Sequence, residues 1–546
     1  MGKSLGIWGP KLIDLSSPEQ YAEAAKRAFH GQKFAEAEIC AQHALSDDAR
    51  QPLASEIMGL IRLNEGRFDE AIGYFKGGLE ADPTRAELPN LIGVAYAQKK
   101  GHLATAMEYF QLATQAAPSD PSPWENLGKA AYELRDWDAA RDAFTRCHEL
   151  DGKNLEARLG FARLALRDGE FARAYGFASQ IAAEVPHHLV ALQLTAEAAL
   201  KLGSYKEALA AAVKAAEHPR AWPRLRDLTY GIAAEAAEAL GRYDEAFSYY
   251  TEMNNAVAEI HWKGLKEVQE IASFEKLAEL AQITPQVAEK AATWPNEFDT
   301  PAPVFCVGFA RSGISLLEQA LDLHPKIVNG AARVDSDMWK DILWDQDAPA
   351  RVASLTYEDI QELRREYWRM VEQGGIEIPE GSMLMEFRPF FSQHLALFAM
   401  VFPDSKYIVT HRDPRDVVLS CFKKRSPVNR SMYEFLGLRS TARFYDLAMG
   451  AARAARESFG LDQTLVGYDT FVADMENETR RMIEFVGLEW DPSLIPAREA
   501  KIDPASIEPE KRAVSKAQQK WRNYETHLEP VNDLLSPWIS YWGYSD

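Results

Sequence analysis

"PVFCVGFARSGISLLEQALDLHP", residues 303–325, is the stretch on which the fold turns. Its first part is a short apolar run, rich in β-branched and aromatic residues and bounded by Pro303 and Gly308, which reads as a buried strand. The last part, "SLLEQALDLH", has helical apolar spacing. Between them lies "GFARSG", a glycine-flanked turn carrying Arg311 and Ser312. A loop leaving a strand and entering a helix presents successive backbone N–H groups and a helix N-terminus to an anion, and Arg311 adds a planar cationic fork. The loop is not a Walker A motif, because it lacks the Gly-Lys-Ser/Thr ending. Taken alone, these residues also fit a plain strand-to-helix turn.

The same texture continues downstream. "KYIVTHR" (406–412) and "TLVGY" (464–468) read as strands, and "VVLSCFKK" (417–424) and "MENETRRMIEFVGL" (475–488) as helices. Strands alternating with helices predict a parallel sheet with helical crossovers, an α/β domain whose ligands bind at the carboxyl ends of the strands. Arg412 stands at such an end, and Ser420 follows eight residues later, two helical turns into the next element. A guanidinium and a hydroxyl so placed suit a second anion. The competing reading makes Arg412, Asp413, Arg415 and Asp416 surface ion pairs.

The first half of the chain is a repeat array. An apolar or aromatic residue three positions before an Ala recurs at Ala37, Ala71, Ala106, Ala140, Ala174, Ala208 and Ala246, with spacings of 34, 35, 34, 34, 34 and 38 residues. That period is the tetratricopeptide signature, two antiparallel helices per unit with a small residue where they cross. Phe34, Phe68, Trp137, Phe171, Tyr205 and Tyr243 are expected in the core. Such solenoids present a concave face to peptides or partner proteins, so a protein or peptide partner is expected there.

At 546 residues the chain exceeds a single core. The boundaries expected are a tetratricopeptide solenoid of about seven repeats at 18–255, a helical connector and linker at 256–298, with the boundary falling inside the Pro-punctuated "WPNEFDTPAP" (294–303), and an α/β domain at 299–546. A net charge of −20 argues against nucleic acid or an anionic membrane as bulk partner, so any anion site is a local basic pocket. The four cysteines are scattered, as free thiols in a reducing compartment would be. No apolar run long enough to span a bilayer is found, and the expected location is cytoplasmic. His324 and the other histidines lack metal-ligand spacing, so no metal is expected.

Together the two loops resemble the PAPS-dependent sulfotransferases, specifically proteins that join tetratricopeptide repeats to a domain similar to the protein-tyrosine sulfotransferases. "VGFARSGISLLEQALDLHP" is similar to the family's "GxPRSGTTLLEQxLxxHP" loop, which holds the 5′-phosphosulfate, and "HRDPRDVVLSCF" to its 3′-phosphate motif. The resemblance implies that Arg311, Ser312, Gly313, Ile314 and Ser315 hold the phosphosulfate, and that Arg412 and Ser420 read the 3′-phosphate. "LVGYDTFV" and the segment "DPASIEPEKRAVSKAQQKWRNYETHL" resemble further family segments and add Tyr468, Ser506, Lys520 and Arg522 as nucleotide contacts. PAPS would be the donor, PAP the product, and no metal would be required.

The chain departs from the family at the reacting centre. Ala310 and Ile314 replace the loop's Pro and first Thr, Ala331 and Ala332 stand where a Gly-Glu is expected, and "EFRP" places Phe387 at the position of a Lys. Two readings follow. In one, Arg311 and Arg388 meet the developing charge and Glu386, Asp335 or His394 takes the proton. In the other, the domain is a catalytically impaired scaffold in a repeat-based protein-binding adaptor.

Overall fold

The computed structural model describes residues 17–261, 275–330, 339–343, 347–425, 431–492 and 519–545. Two compact units divide the chain between Pro219 and Arg220.

The described residues of the first unit form six antiparallel helix pairs, from Pro18–His30 with Phe34–Asp47 to Leu189–Lys201 with Tyr205–Ala216. Ala37, Ala71, Ala106, Ala140, Ala174 and Ala208 are fully buried, as close helix crossing requires. The large residues three positions earlier are not core. Phe34 is 45% and Tyr205 37% exposed, and Phe68, Trp137 and Phe171 are half-buried. Each is the first residue of its helix, so its side chain leans over the turn rather than into the crossing. The aromatics that fill the core are Phe75, Phe110 and Phe144, and each faces a glycine. A Cβ at Gly59 would lie 2.4 Å from the Phe75 ring, and Phe144 is gripped between Gly128 and Gly160 in the same way. These glycines accept the helix-propensity cost of about 1 kcal/mol because the ring occupies the space a side chain would need.

The second unit opens with one more helical pair, Pro223–Ala239 and Tyr243–Ile260, in which Ala246 is fully buried and Tyr243 half-buried. A helix at Glu275–Ala291 precedes the sheet. Among the described residues, five parallel strands, β1 (Val304–Val307), β2 (Ile327–Asn329), β3 (Met383–Phe387), β4 (Lys406–His411) and β5 (Asp462–Gly467), stand in the order β2-β3-β1-β4-β5. Alternation along the strands separates two cores. Phe305, Val307, Tyr407 and Val409 face one layer, with the helices Tyr357–Gln373, Leu395–Val401 and Leu438–Phe459. Val304, Cys306, Phe387 and Ile408 face the other, with Ile314–Leu321 and Met475–Val486. The chain fills the β3 and β2 side before crossing to β4 and β5, so the loops leaving β1 and β4 diverge and open a crevice at their carboxyl ends.

Candidate functional site

The loop after β1 is held open by backbone geometry. Arg311 and Gly313 adopt left-handed conformations (φ 68° and 112°), and the helix Ile314–Leu321 begins immediately afterwards. Its first internal bonds run from the N–H groups of Leu316 and Leu317 to the Gly313 carbonyl. The N–H groups of Ile314 and Ser315 therefore stand at the helix end, unused by the helix itself. Ser315 is exposed, whereas the Ile314 side chain belongs to the core. The Ser312 hydroxyl is buried and engaged, with Phe309 O at 2.7 Å and Thr410 Oγ1 at 2.6 Å, so it ties the loop to β4. Ser392 Oγ donates to Gly308 O at 2.5 Å. At Gly308 a Cβ would fall 2.1 Å from Thr410 Oγ1, and at Gly313 one would fall 2.8 Å from the Tyr468 ring. The two glycines let β4 and Tyr468 approach the loop.

From the end of β4 come the second set of groups. Asp413 caps the helix Pro414–Lys423 by accepting from the Arg415 N–H, and that helix carries Ser420. Arg311 Nε donates to Ser420 Oγ at 2.9 Å, which joins the two loops directly. Arg412 lies 4.5 Å over the Tyr468 ring, and its ion pair with Asp416 is long, 3.4 Å. Its Nε is buried and makes no hydrogen bond among the described residues. Burial raises the Tyr468 hydroxyl pKa, Arg412 and Arg311 oppose the rise, and Asp469 and Asp416 add to it. Arg415 is arranged differently from Arg412: it is buried and forms a forked pair with Asp413 (3.0 and 2.8 Å), so its charge is already matched.

Arg388 follows β3. Glu386 is fully buried and accepts from Tyr367 Oη and Arg388 Nε, each at 3.0 Å. Burial raises the Glu386 pKa, and Arg388 and Tyr367 pull against it. A Cβ at Gly330 would sit 2.6 Å from Glu386 Oε1, so glycine is needed there. Phe387 points to the opposite face of the strand, into the second core. Burial drives His394 down to about 3, leaving it a weak base.

Lys520 and Arg522 flank Trp521 in the turn Lys520–Tyr524. The Trp521 backbone N–H donates to Asp416 Oδ1 at 3.0 Å, and Arg415 stacks on the indole at 3.6 Å. Since Asp416 also pairs with Arg412, this turn is anchored to the same node. Arg522 is exposed and donates to Gln519. Ser506, Ala331, Ala332 and Asp335 lie outside the described residues. The residues that pattern reading does not single out are Tyr367, Thr410 and Trp521. Each acts through a partner distant in sequence, so local spacing carries no signal of it.

Residues 303–492 match the model described as the sulfotransferase family. Residues 22–86 and 58–121 match a tetratricopeptide repeat model, and 143–215 match one described as anaphase-promoting complex, cyclosome, subunit 3. The chain thus joins tetratricopeptide repeats to a sulfotransferase-family domain. An uncharacterized protein of Aquifex aeolicus is 23% identical over 317 residues, 54% of this chain and 39% of that protein. The protein CTR9 homolog of Arabidopsis thaliana is 29% identical over 122 residues, 22% of this chain and 11% of its own length. The chain spans about two fifths or less of these curated relatives. Among solved structures, a tetratricopeptide repeat protein from Parabacteroides merdae is 16% identical, with 44% of this chain and 93% of that one covered and a TM-score of 0.35. PilW, a type IV pilus biogenesis factor, is 21% identical, with 36% and 91% covered and a TM-score of 0.33. Among the described residues no helix is long and apolar enough to cross a membrane, and no group of three or more His, Cys, Asp or Glu could hold a metal ion.

Proposed function

We propose that the second unit transfers a sulfuryl group from PAPS to a hydroxyl acceptor, on a protein or peptide held by the repeats. The observation that carries this reading is the bond between Arg311 and Ser420, which makes one basic site out of two loops. The residues present fit a nucleotide phosphorylated at two positions. Gly308 and Gly313 let Thr410 and Tyr468 close against the loop, and Arg412 retains a buried Nε without a hydrogen bond among the described residues. When bound, PAPS supplies the sulfuryl group and a phosphate leaving group. Arg311 and the N–H groups of Gly313, Ile314 and Ser315 would hold the phosphosulfate, and Arg412 with Ser420 the 3′-phosphate. Tyr468 walls the site, and Lys520, Arg522 and Ser506 are the remaining proposed nucleotide contacts.

Arg388 is the cation proposed to meet charge developing on the leaving oxygen. Glu386 fixes its direction, because both carboxylate oxygens are already engaged. A second reading, the impaired scaffold in a protein-binding adaptor, is favoured by Phe387 being a core residue and by the weak basicity of His394. The domain boundaries proposed are those stated from the sequence, and the proposed location is cytoplasmic. PAP release from PAPS, measured on the full-length protein with hydroxyl-bearing peptides, separates the two readings. Acceptor-dependent release, abolished by Arg311→Ala, is expected from the enzyme. Binding of PAP without any release would support the adaptor.

A further inference from the structure

The helix Pro414–Lys423 belongs to the site at its start, through Asp413 and Arg412, and in its last turn, through Ser420. Its far end is held by the helical pair Pro223–Ala239 and Tyr243–Ile260, which carries the repeat signature "YDEA". Asn254 is buried and its Nδ2 donates at 2.9 Å to the Phe422 carbonyl, one of the helix's terminal acceptors. Phe247 stacks on Phe422 with ring centroids 5.2 Å apart. Lys423 pairs with Glu238 at 2.6 Å, and Arg425 makes a forked pair with the buried Asp227 at 2.7 and 2.8 Å.

These contacts come from both helices of the pair and fall on residues two to five positions beyond Ser420. They set the axial position and rotation of the last turn, and with them the direction in which Ser420 Oγ meets Arg311. We infer that this repeat-like pair is a positioning element of the anion site, with Asn254 acting on the ligand through Ser420 and Arg311. The pair thereby serves the proposed donor site. The inference rests on the reading of that site given above.

The test is a double-mutant cycle on the full-length protein, with PAP binding read by calorimetry and adenosine 5′-monophosphate (AMP), which lacks the 3′-phosphate, as comparison ligand. Asn254→Leu and Ser420→Ala are each expected to weaken PAP binding by about 3- to 10-fold, the effect of one lost hydrogen bond. The double variant should be no weaker than Ser420→Ala alone, because both act through one contact. AMP, whose 5′-phosphate would meet Arg311 but which offers nothing to Ser420, should lose less affinity than PAP in either variant. Additive losses, or an unchanged affinity in Asn254→Leu, would overturn the inference while leaving the donor site intact. Failure of the wild-type protein to bind PAP would instead overturn the functional reading, and this inference with it. If Asn254→Leu does not fold, the charge swap Asp227→Arg with Arg425→Asp is read instead. It should restore PAP affinity lost in Asp227→Arg, and no restoration would count against the positioning role.

Discussion

Arg311 and Ser420, 109 residues apart in the chain, meet through a 2.9 Å hydrogen bond that joins the loop after β1 to the last turn of the helix after β4. The bond explains why neither loop is legible alone. An Arg in a strand-to-helix turn and an Arg-Asp-Pro-Arg-Asp run each have an ordinary structural explanation, and only their adjacency concentrates Arg311 and Arg412 around one cradle in a chain of net charge −20.

Arg412→Ala removes a half-buried guanidinium whose Nε is buried and makes no hydrogen bond among the described residues. Loss of a charge-assisted contact of about 1.5–3 kcal/mol predicts PAP binding weakened roughly 10- to 150-fold. AMP binding should change little. Calorimetry on both ligands reads the difference, and an equal loss for the two would remove Arg412 from the 3′-phosphate.

Arg311→Lys keeps the charge and deletes the Nε–H that meets Ser420. A lysine cannot reproduce the fork, so PAP affinity should fall by about 5- to 30-fold, on the order of 1–2 kcal/mol. Retained affinity would show that charge alone suffices.

Gly313→Ala meets two obstacles, a φ of 112° and the Tyr468 ring 2.8 Å from the new Cβ. The backbone cost alone is of order 1–3 kcal/mol. Thermal unfolding should shift downward and PAP binding weaken together, and a variant unchanged in both would show that the loop can relax.

Much of this architecture is legible in the sequence, for identifiable reasons. The 34-residue period places every crossing alanine, because small residues at a helix crossing are a local demand repeated along the chain. The same pattern points wrongly to Phe34 and Tyr205 as core aromatics, since the glycines that admit Phe75, Phe110 and Phe144 lie on the neighbouring helix. β3, "MLMEF", is rich in good helix formers and escapes a propensity reading, and β2 is only three residues long. Arg311 bonds Ser420 and Arg412 lies over Tyr468, contacts that join residues from separate motifs, whereas the Tyr367–Glu386–Arg388 chain and the Asp416–Trp521 link arise from packing and have no local pattern.

His411 stacks on Trp542 with centroids 4.7 Å apart, and burial, aided by Arg456, pushes it down to about 4. An unfolded histidine titrates near about 6.5. Between these values the unfolded chain binds the extra proton, so this residue's effect is to lower stability as pH falls from about 6.5 to about 4, and to add no slope outside that window. Glu386 and Asp416, raised by burial, act in the opposite sense, so the comparison must be between proteins. Denaturant unfolding of His411→Phe, which keeps an aromatic ring against Trp542, should lose less stability between about pH 7 and about pH 5 than the wild type. Identical pH dependence would mean that His411 is not held neutral.

The central claim, that the two loops form one site for a nucleotide carrying a 3′-phosphate, is tested most directly by titrating the full-length protein with PAP and with AMP in a calorimeter. The account predicts saturable binding of PAP with at least about tenfold preference over AMP, one charge-assisted phosphate contact being worth that much. Equal affinity for the two, or no binding of PAP, would contradict it.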